Sequence, residues 1–162
     1  MSAADCRLTV TVREARDQAE REAAMALRTR VFVDEQGVSG EEEFDGLDDE
    51  ATQVVALDEK GVLATCRLRF LDADGAPACK LERMAVEARV RGLGVGARLV
   101  RGSERVATDH GAGEMVLHSQ RRAEGFYAGQ GYVAEGDTFM EADIEHVRMR
   151  KRLDPAEQVF AS

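Results

Sequence analysis

The alternation of hydrophobic and polar residues predicts a chain that is rich in short β-strands. Residues 53–57 and 62–71 are apolar runs joined by a turn sequence at 58–61, which indicates a hairpin. A second turn sequence, at 72–75, leads into the next apolar run. The predicted strands are 8–12, 53–57, 62–71, 79–86, 114–117, 132–134 and 147–152.

Helical periodicity marks two longer segments. Asp17 and Glu20 have the spacing of a capping box, and apolar residues follow at helical spacing as far as Val31. The second segment, 98–110, has one apolar face and precedes Gly111, a typical helix-terminating residue. The remaining predictions are a short helix over 121–128 and, in the acidic segment 34–50, a loop or short irregular helices.

This order of elements predicts an α+β fold. Antiparallel strands come first, and a single strand–helix–strand unit lies in the middle of the chain. A doubly wound nucleotide-binding fold would alternate strands and helices throughout. The 162 residues suit one domain, which we expect to span 1–153, with a C-terminal tail over 154–162.

Composition limits the functions that are open to the chain. A net charge of −9 disfavours nucleic-acid binding, which needs a basic surface. No apolar run approaches the roughly 18 residues of a membrane span, and residues 1–7 lack an apolar signal core, so no membrane partner is expected. The acidity either attracts a cationic ligand or simply keeps the chain soluble. Cys6, Cys66 and Cys79 lack metal-ligand spacing and indicate reduced thiols in a cytoplasmic protein, the last two as core residues.

The segment 90–97 is the main candidate for a ligand site. It reads Val-Arg-Gly-Leu-Gly-Val-Gly-Ala and lies between a predicted strand and a predicted helix. Gly92, Gly94 and Gly96 allow a tight turn, and the free N–H groups of the helix start then favour an anion, such as a phosphate. Arg91 strengthens this interpretation.

Two other origins of such a loop fit less well. A P-loop needs Gly-Lys followed by Ser or Thr, which is absent here. Gly92-x-Gly94-x-x-Ala97 satisfies a relaxed dinucleotide fingerprint, but the next strand ends in His118 rather than in an acidic residue. An ordinary glycine-rich strand-to-helix turn stays open as an interpretation of the loop alone.

Five segments in order resemble the GNAT N-acetyltransferase superfamily, in particular its ElaA-like/YjcF-like branch. They include the Arg91-x-x-Gly94-x-Gly96 loop, the pair Phe126-Tyr127 and a last hairpin with His146. The resemblance covers nearly the whole chain, from about residue 8 to residue 153. The segments are 27–36, 81–86, 91–99, 120–132 and 139–149.

The resemblance implies a GNAT acyl-CoA N-acyltransferase fold. Its mixed, twisted sheet has six or seven strands, is split between strands four and five, and is flanked by helices. Acetyl-CoA would lie in the split as the co-substrate, without a metal. Backbone groups of Met84, Ala85 and Val86 would bind the pantetheine arm. The pyrophosphate would be held by Arg91, Gly92, Leu93, Gly94, Val95 and Gly96. Members are often homodimers.

The chemistry that the resemblance implies needs a base for the acceptor amine and a proton donor for the CoA thiolate. Tyr127 matches the family's tyrosine and is the candidate donor. Glu82 is either a local base or a solvent-facing charge, and strand alternation places it on the same face as Met84. His118 is either a proton relay or a structural histidine, and the role of His146 stays open.

The acceptor side is less defined. Glu35, Gln36 and the acidic run that follows them lie where the family builds its acceptor wall. An acidic wall would suit an amine acceptor, but a charge run is usually a solvated loop, which is the expectation for the run as a whole. The run comprises Glu41, Glu42, Glu43, Asp45, Asp48 and Asp49. We expect a cytoplasmic N-acetyltransferase that transfers the acetyl group of acetyl-CoA directly to a primary amine of a small molecule or protein. The alternative is a non-catalytic CoA-binding module on the same fold.

Overall fold

The computed structural model describes residues 9–73 and 76–155. Leu8 of the first predicted strand, Cys6, the turn residues Asp74 and Gly75, and 156–162 of the predicted tail lie outside the described residues. Within the described part of the chain, no helix is long and apolar enough to cross a membrane.

The described strands form one mixed sheet with the order β1-β2-β3-β4-β5-β7-β6. Neighbouring strands are antiparallel except β4 and β5, which are parallel because α3 connects them. The predicted fold is therefore confirmed, with seven strands. Their bounds are β1 Thr11–Glu14, β2 Thr52–Asp58, β3 Gly61–Ala73, β4 Ala76–Val86, β5 Glu114–Gln120, β6 Val133–Glu141 and β7 Ile144–Arg152.

The sheet is split where its two parallel strands separate. β4 pairs with β5 only as far as Leu81 and Leu117. Beyond that pair β4 runs on to Val86 without β5, while β5 runs on to Gln120 alongside β7. The predicted opening between strands four and five is present, and it leaves one edge of β4 free.

Asp17 caps the first helix, as predicted. Two helix boundaries differ from the predicted ones. The Asp17 carboxylate accepts a hydrogen bond from the Glu20 N–H at 2.9 Å. The third helix begins three residues before the predicted Arg98, because the glycine loop enters it directly. A π-helical segment, Thr29–Glu35, continues the first helix, and 3₁₀ turns lie at Ala88–Val90 and Arg121–Ala123. The α-helices are α1 Gln18–Arg28, α2 Gly40–Glu43, α3 Val95–Asp109 and α4 Glu124–Gly129.

The core lies mainly between the sheet and α3. Leu99 and Val100 on the predicted apolar face of α3 are fully buried against it. Cys66 and Cys79 are also fully buried, which confirms them as core residues. Burial raises the pKa of each thiol to about 12, so neither is a nucleophile near neutral pH.

A β-bulge in β4 overturns one predicted side-chain arrangement. The register between β3 and β4 shifts here, and Arg83 adopts a left-handed φ of 57°. Alternation predicted that Glu82 and Met84 share a face, and this prediction is wrong. Met84 lies against α3 and α4, whereas Glu82 lies on the other face beside Arg67. The extra residue at the bulge breaks the period of two.

Candidate active site

A cavity of about 1100 Å³ occupies the split between β4 and β5. Its wall on one side is the glycine loop with the start of α3, and Tyr127 of α4 lies beside them. The opposite wall comprises the ends of β4 and β5, the π-helical segment and the β6–β7 hairpin. Residues from all five segments that resemble the GNAT superfamily thus line this one cavity, as the resemblance implied.

The glycine loop has the geometry of an anion-binding site. Gly92 and Gly94 have φ of 81° and 85°, which favour glycine, and Gly94 is the N-cap of α3. The Arg98 N–H donates to the Gly94 carbonyl, so the N–H groups of the preceding helical turn lack partners within α3. A Cβ on Gly96 would lie 3.1 Å from Met84 Cε, so a larger residue there would press on Met84. The helix dipole adds positive potential at this end.

Arg91 is held at the side of the loop. Its Nε donates to the Val86 carbonyl at 3.0 Å, and its Nη2 pairs with Glu35 at 2.9 Å. Glu35, predicted to face the acceptor, therefore lies beside the predicted pyrophosphate loop. Its neighbour Gln36 accepts a hydrogen bond from Gln120 at 2.8 Å, which links the π-helical segment to β5 across the cavity.

Tyr127 lies in the cavity wall with 8% of its surface exposed. Its hydroxyl donates to Met84 Sδ at 3.2 Å, and Phe126 and Tyr132 pack edge-on against its ring. Burial raises the pKa of the phenol well above its usual range, so the group stays protonated. A neutral hydroxyl that touches only a weak acceptor is available to donate to a stronger one.

Glu82 is enclosed by cations. Arg67 donates to one carboxylate oxygen at 2.9 Å, and Arg69 donates to the other. Burial raises the pKa of Glu82, but the hydrogen bond from Arg69 and the charge of Arg67 outweigh it and lower the pKa overall. With 10% of its side chain exposed, Glu82 is not a solvent-facing charge. Its lowered pKa makes it a weak base.

Two carboxylates of the acidic run are turned inward, so the expectation of a solvated loop is wrong for Glu43 and Asp48, whereas Asp45 stays exposed. Glu43 and Asp48 pair with the fully buried Arg28 at 2.7 and 2.6 Å. Asp45 pairs with Arg67 at 2.8 Å. These ion pairs fix α2 and the following loop against the sheet. Sequence reasoning missed them because the arginines lie far away along the chain.

A histidine–glutamate cluster faces the cavity from the β5 side. Glu141 Oε1 lies 3.1 Å from His118 Nδ1, and Oε2 lies 3.7 Å from His146 Nε2. The Phe139 ring contacts both imidazoles, with centroids 4.9 and 6.0 Å away. The hydrogen bond and charge of His118 lower the pKa of Glu141. The sequence placed Glu141 in the family-like last hairpin but gave it no functional role, because β6 is largely exposed and shows no strand alternation.

Comparison with known proteins identifies the family of the chain. The chain matches the family described as "Acetyltransferase (GNAT) domain" over residues 14–153. It is 36% identical to the uncharacterised N-acetyltransferase YjcF of Bacillus subtilis over 138 residues, which cover 85% of this chain and 96% of YjcF.

Solved structures give the same result. A candidate N-acetyltransferase from Lactobacillus plantarum is 31% identical with a TM-score of 0.81, over 90% of this chain and 99% of that one. Escherichia coli ElaA shares the fold, with a TM-score of 0.74 at 22% identity over 88% and 99% of the two chains. The chain belongs to the GNAT acetyltransferase family, and its family chemistry is acyl transfer from an acyl-CoA.

Proposed function

We propose that this protein is a cytoplasmic N-acetyltransferase that transfers the acetyl group of acetyl-CoA directly to a primary amine. The observation that carries the proposal is one cavity that holds both the anion-binding loop at Gly94 and the buried, protonated hydroxyl of Tyr127. The loop suits the pyrophosphate of the donor, and the hydroxyl suits the thiolate that leaves.

The donor would lie along the free edge of β4. Beyond Leu81 this strand has no pairing partner in β5, so the backbone of Met84, Ala85 and Val86 can hydrogen-bond an extended pantetheine arm as an added strand would. An N–H near Ala85 would stabilise the oxyanion of the tetrahedral intermediate. The N–H groups from Gly92 to Gly96, with Leu93 and Val95 between them, would bind the phosphates.

Tyr127 would complete the transfer. After a deprotonated amine attacks the thioester carbonyl, the C–S bond breaks, and the Tyr127 hydroxyl protonates the thiolate. Glu82, whose carboxylate is ionised but held by two arginines, is one candidate for the base. No covalent intermediate on the enzyme is needed, which agrees with the burial and high pKa of Cys66 and Cys79.

Thermal shift and thiol release test this proposal together. Acetyl-CoA is expected to raise Tm, because a ligand that binds only the folded state stabilises it, whereas a nicotinamide cofactor is expected to have no effect. Thiol release from acetyl-CoA is then followed across a panel of primary amines and lysine peptides. A Tm shift without any amine-dependent thiol release favours the non-catalytic CoA-binding module, and the absence of both contradicts the donor assignment.

Glu35→Gln separates a donor-side role of Glu35 from an acceptor-side role. Without its partner, Arg91 can turn to the phosphates, and one negative charge near them is lost. We expect KM for acetyl-CoA to fall about two- to fivefold, as suits an exposed ion pair worth up to about 1 kcal/mol. Steady-state kinetics with each substrate varied provide the measurement, and Glu41→Gln is the control for net charge. A raised KM for the amine with unchanged KM for acetyl-CoA would instead assign Glu35 to the acceptor.

A further inference from the structure

His118 and Glu82 lie on either side of the point where the sheet opens. Leu81 and Leu117 form the last pair between β4 and β5, and Glu82 and His118 are the next residue on each strand. Leu81 and Leu117 both pack into the core beside α3, so alternation directs the two next side chains to the other face. Both line the cavity. The structure thus offers two groups that could take a proton from an amine entering from that face.

The hydrogen bond to Glu141 determines the tautomer of His118. An ionised carboxylate can only accept, so at 3.1 Å from Glu141 Oε1 the Nδ1 atom must carry the hydrogen. In the neutral ring, Nε2 then has a lone pair. Among the described residues, no hydrogen bond engages Nε2, and 21% of the side chain is exposed. This is the arrangement in which a carboxylate orients an imidazole as a base.

The hairpin that carries Glu141 is built to hold it in place. Ala142 and Asp143 form its two-residue turn, and both adopt left-handed φ angles, of 51° and 60°. Such angles cost about 1 kcal/mol or more in residues other than glycine and are typical of functional sites. His146 donates through Nδ1 to the Ile144 carbonyl at 2.6 Å, so it is fixed beside the second oxygen of Glu141.

We propose that His118 is the general base for the acceptor amine and that Glu141 is its positioning residue. The inference rests on the proposed function and deepens it. His118 Nε2 takes a proton from the substrate ammonium, and the free amine attacks the thioester carbonyl. The C–S bond breaks, and the thiolate takes the proton of Tyr127. The product nitrogen returns one proton to Tyr127, and His118 releases its proton to solvent.

Glu82 is the competing base, and its surroundings favour His118. Each oxygen of Glu82 already accepts a hydrogen bond from an arginine, and its pKa is lowered. A proton could reach Glu82 only by displacing one of these bonds. The charged and titratable groups around His118 are Lys80, Glu82, Glu135, Glu141, His146 and Arg148.

The test uses two amine probes that differ in their need for a base. Benzylamine is protonated at neutral pH, whereas hydroxylamine is already unprotonated. For His118→Gln we expect kcat/KM with benzylamine to fall about 100-fold or more, and with hydroxylamine much less. Glu141→Gln is expected to lose about tenfold with benzylamine, since a neutral amide neither stabilises the imidazolium nor enforces the Nδ1–H tautomer. His110→Gln, a histidine outside the cavity that contacts Glu14, is the matched control.

The pH profile provides a readout that a structural role would not change. In His118→Gln, kcat/KM for benzylamine should rise with pH only in proportion to the fraction of unprotonated amine. The ionisation of the enzyme's base should no longer appear in the profile. Equal losses of kcat/KM with both probes in His118→Gln, or no loss with either, would falsify the assignment. If kcat/KM falls in Glu82→Gln but not in His118→Gln, Glu82 is the base instead. Nitrogen NMR of the wild-type imidazole must show the Nδ1–H tautomer. If the wild type releases no thiol with either probe, the amine panel described above decides whether the proposed function fails, and the tautomer alone decides whether the dyad exists.

Discussion

Tyr127→Phe is expected to lower kcat about 100-fold, with little change in KM for acetyl-CoA. The substitution removes only a hydroxyl oxygen, and the ring still packs against Phe126 and Tyr132. What is lost is the proton for the departing thiolate. Since burial raises the pKa of Tyr127 above its usual value of about 10, the hydroxyl is protonated throughout the neutral range. The loss should therefore be nearly the same at every pH from about 6 to about 9.

Tyr132→Phe is the matched control for this experiment. Tyr132 is equally buried, with its ring centroid 6.0 Å from that of Tyr127, but its hydroxyl donates to Glu104 rather than into the cavity. Its loss should lower stability, because a buried carboxylate loses a hydrogen bond, and leave kcat unchanged. Stopped-flow detection of free thiol at saturating acetyl-CoA measures both variants. If Tyr127→Phe retains the wild-type kcat, or if both variants lose it alike, Tyr127 is not the donor.

Local patterns were sufficient to predict most of the fold. Capping at Asp17, the turn residues at 58–61 and the glycine loop all act through neighbouring backbone groups, so adjacent residues define them. The exceptions lie where the backbone departs from a regular period. At Arg83 the bulge moves Glu82 and Met84 to opposite faces, and no glycine or proline marks it. The hairpin turn at 142–143 likewise has none of the residues that favour left-handed angles most strongly, although Asp143 tolerates one.

The candidate site likewise contains parts that could be predicted from the sequence and parts that could not. The parts of the candidate site that are built from backbone groups, the glycine loop and the free edge of β4, were predictable from sequence motifs and the family resemblance. The parts that depend on side-chain pairs were not, because the partners come from distant segments. His118 meets Glu141 only through the β5–β7–β6 register, and Glu35 meets Arg91 only after the π-helical segment has turned. All four residues lie in sequence motifs or are candidate site residues, but the sequence assigned none of them its partner.

Arg28→Met is expected to lower the free energy of unfolding by about 3–5 kcal/mol, the typical effect of removing one partner from a buried ion pair. Arg28 is fully buried, and it donates to both Glu43 and Asp48 as well as stacking on Phe44. Methionine keeps much of the volume but leaves the Glu43 carboxylate, 2% exposed, without its shortest contact. Urea denaturation at constant m-value measures the change.

The pH dependence of this loss identifies its cause. Burial already raises the pKa of Glu43, and removing Arg28 must raise it further, since the cation favours the ionised form. When a carboxyl has a higher pKa in the folded than in the unfolded state, the protein becomes less stable as the pH rises from the unfolded-state pKa towards the folded-state pKa. The difference in the free energy of unfolding between Arg28→Met and the wild type should therefore become smaller as the pH is lowered from about 8 to about 5. In Arg28→Met/Glu43→Gln the buried Glu43 carboxylate is absent, so the double variant should be more stable than the sum of its single changes predicts. If this difference does not depend on pH and the effects of the two single substitutions simply add, lost packing around Phe44 destabilises the variant rather than an unpaired buried charge.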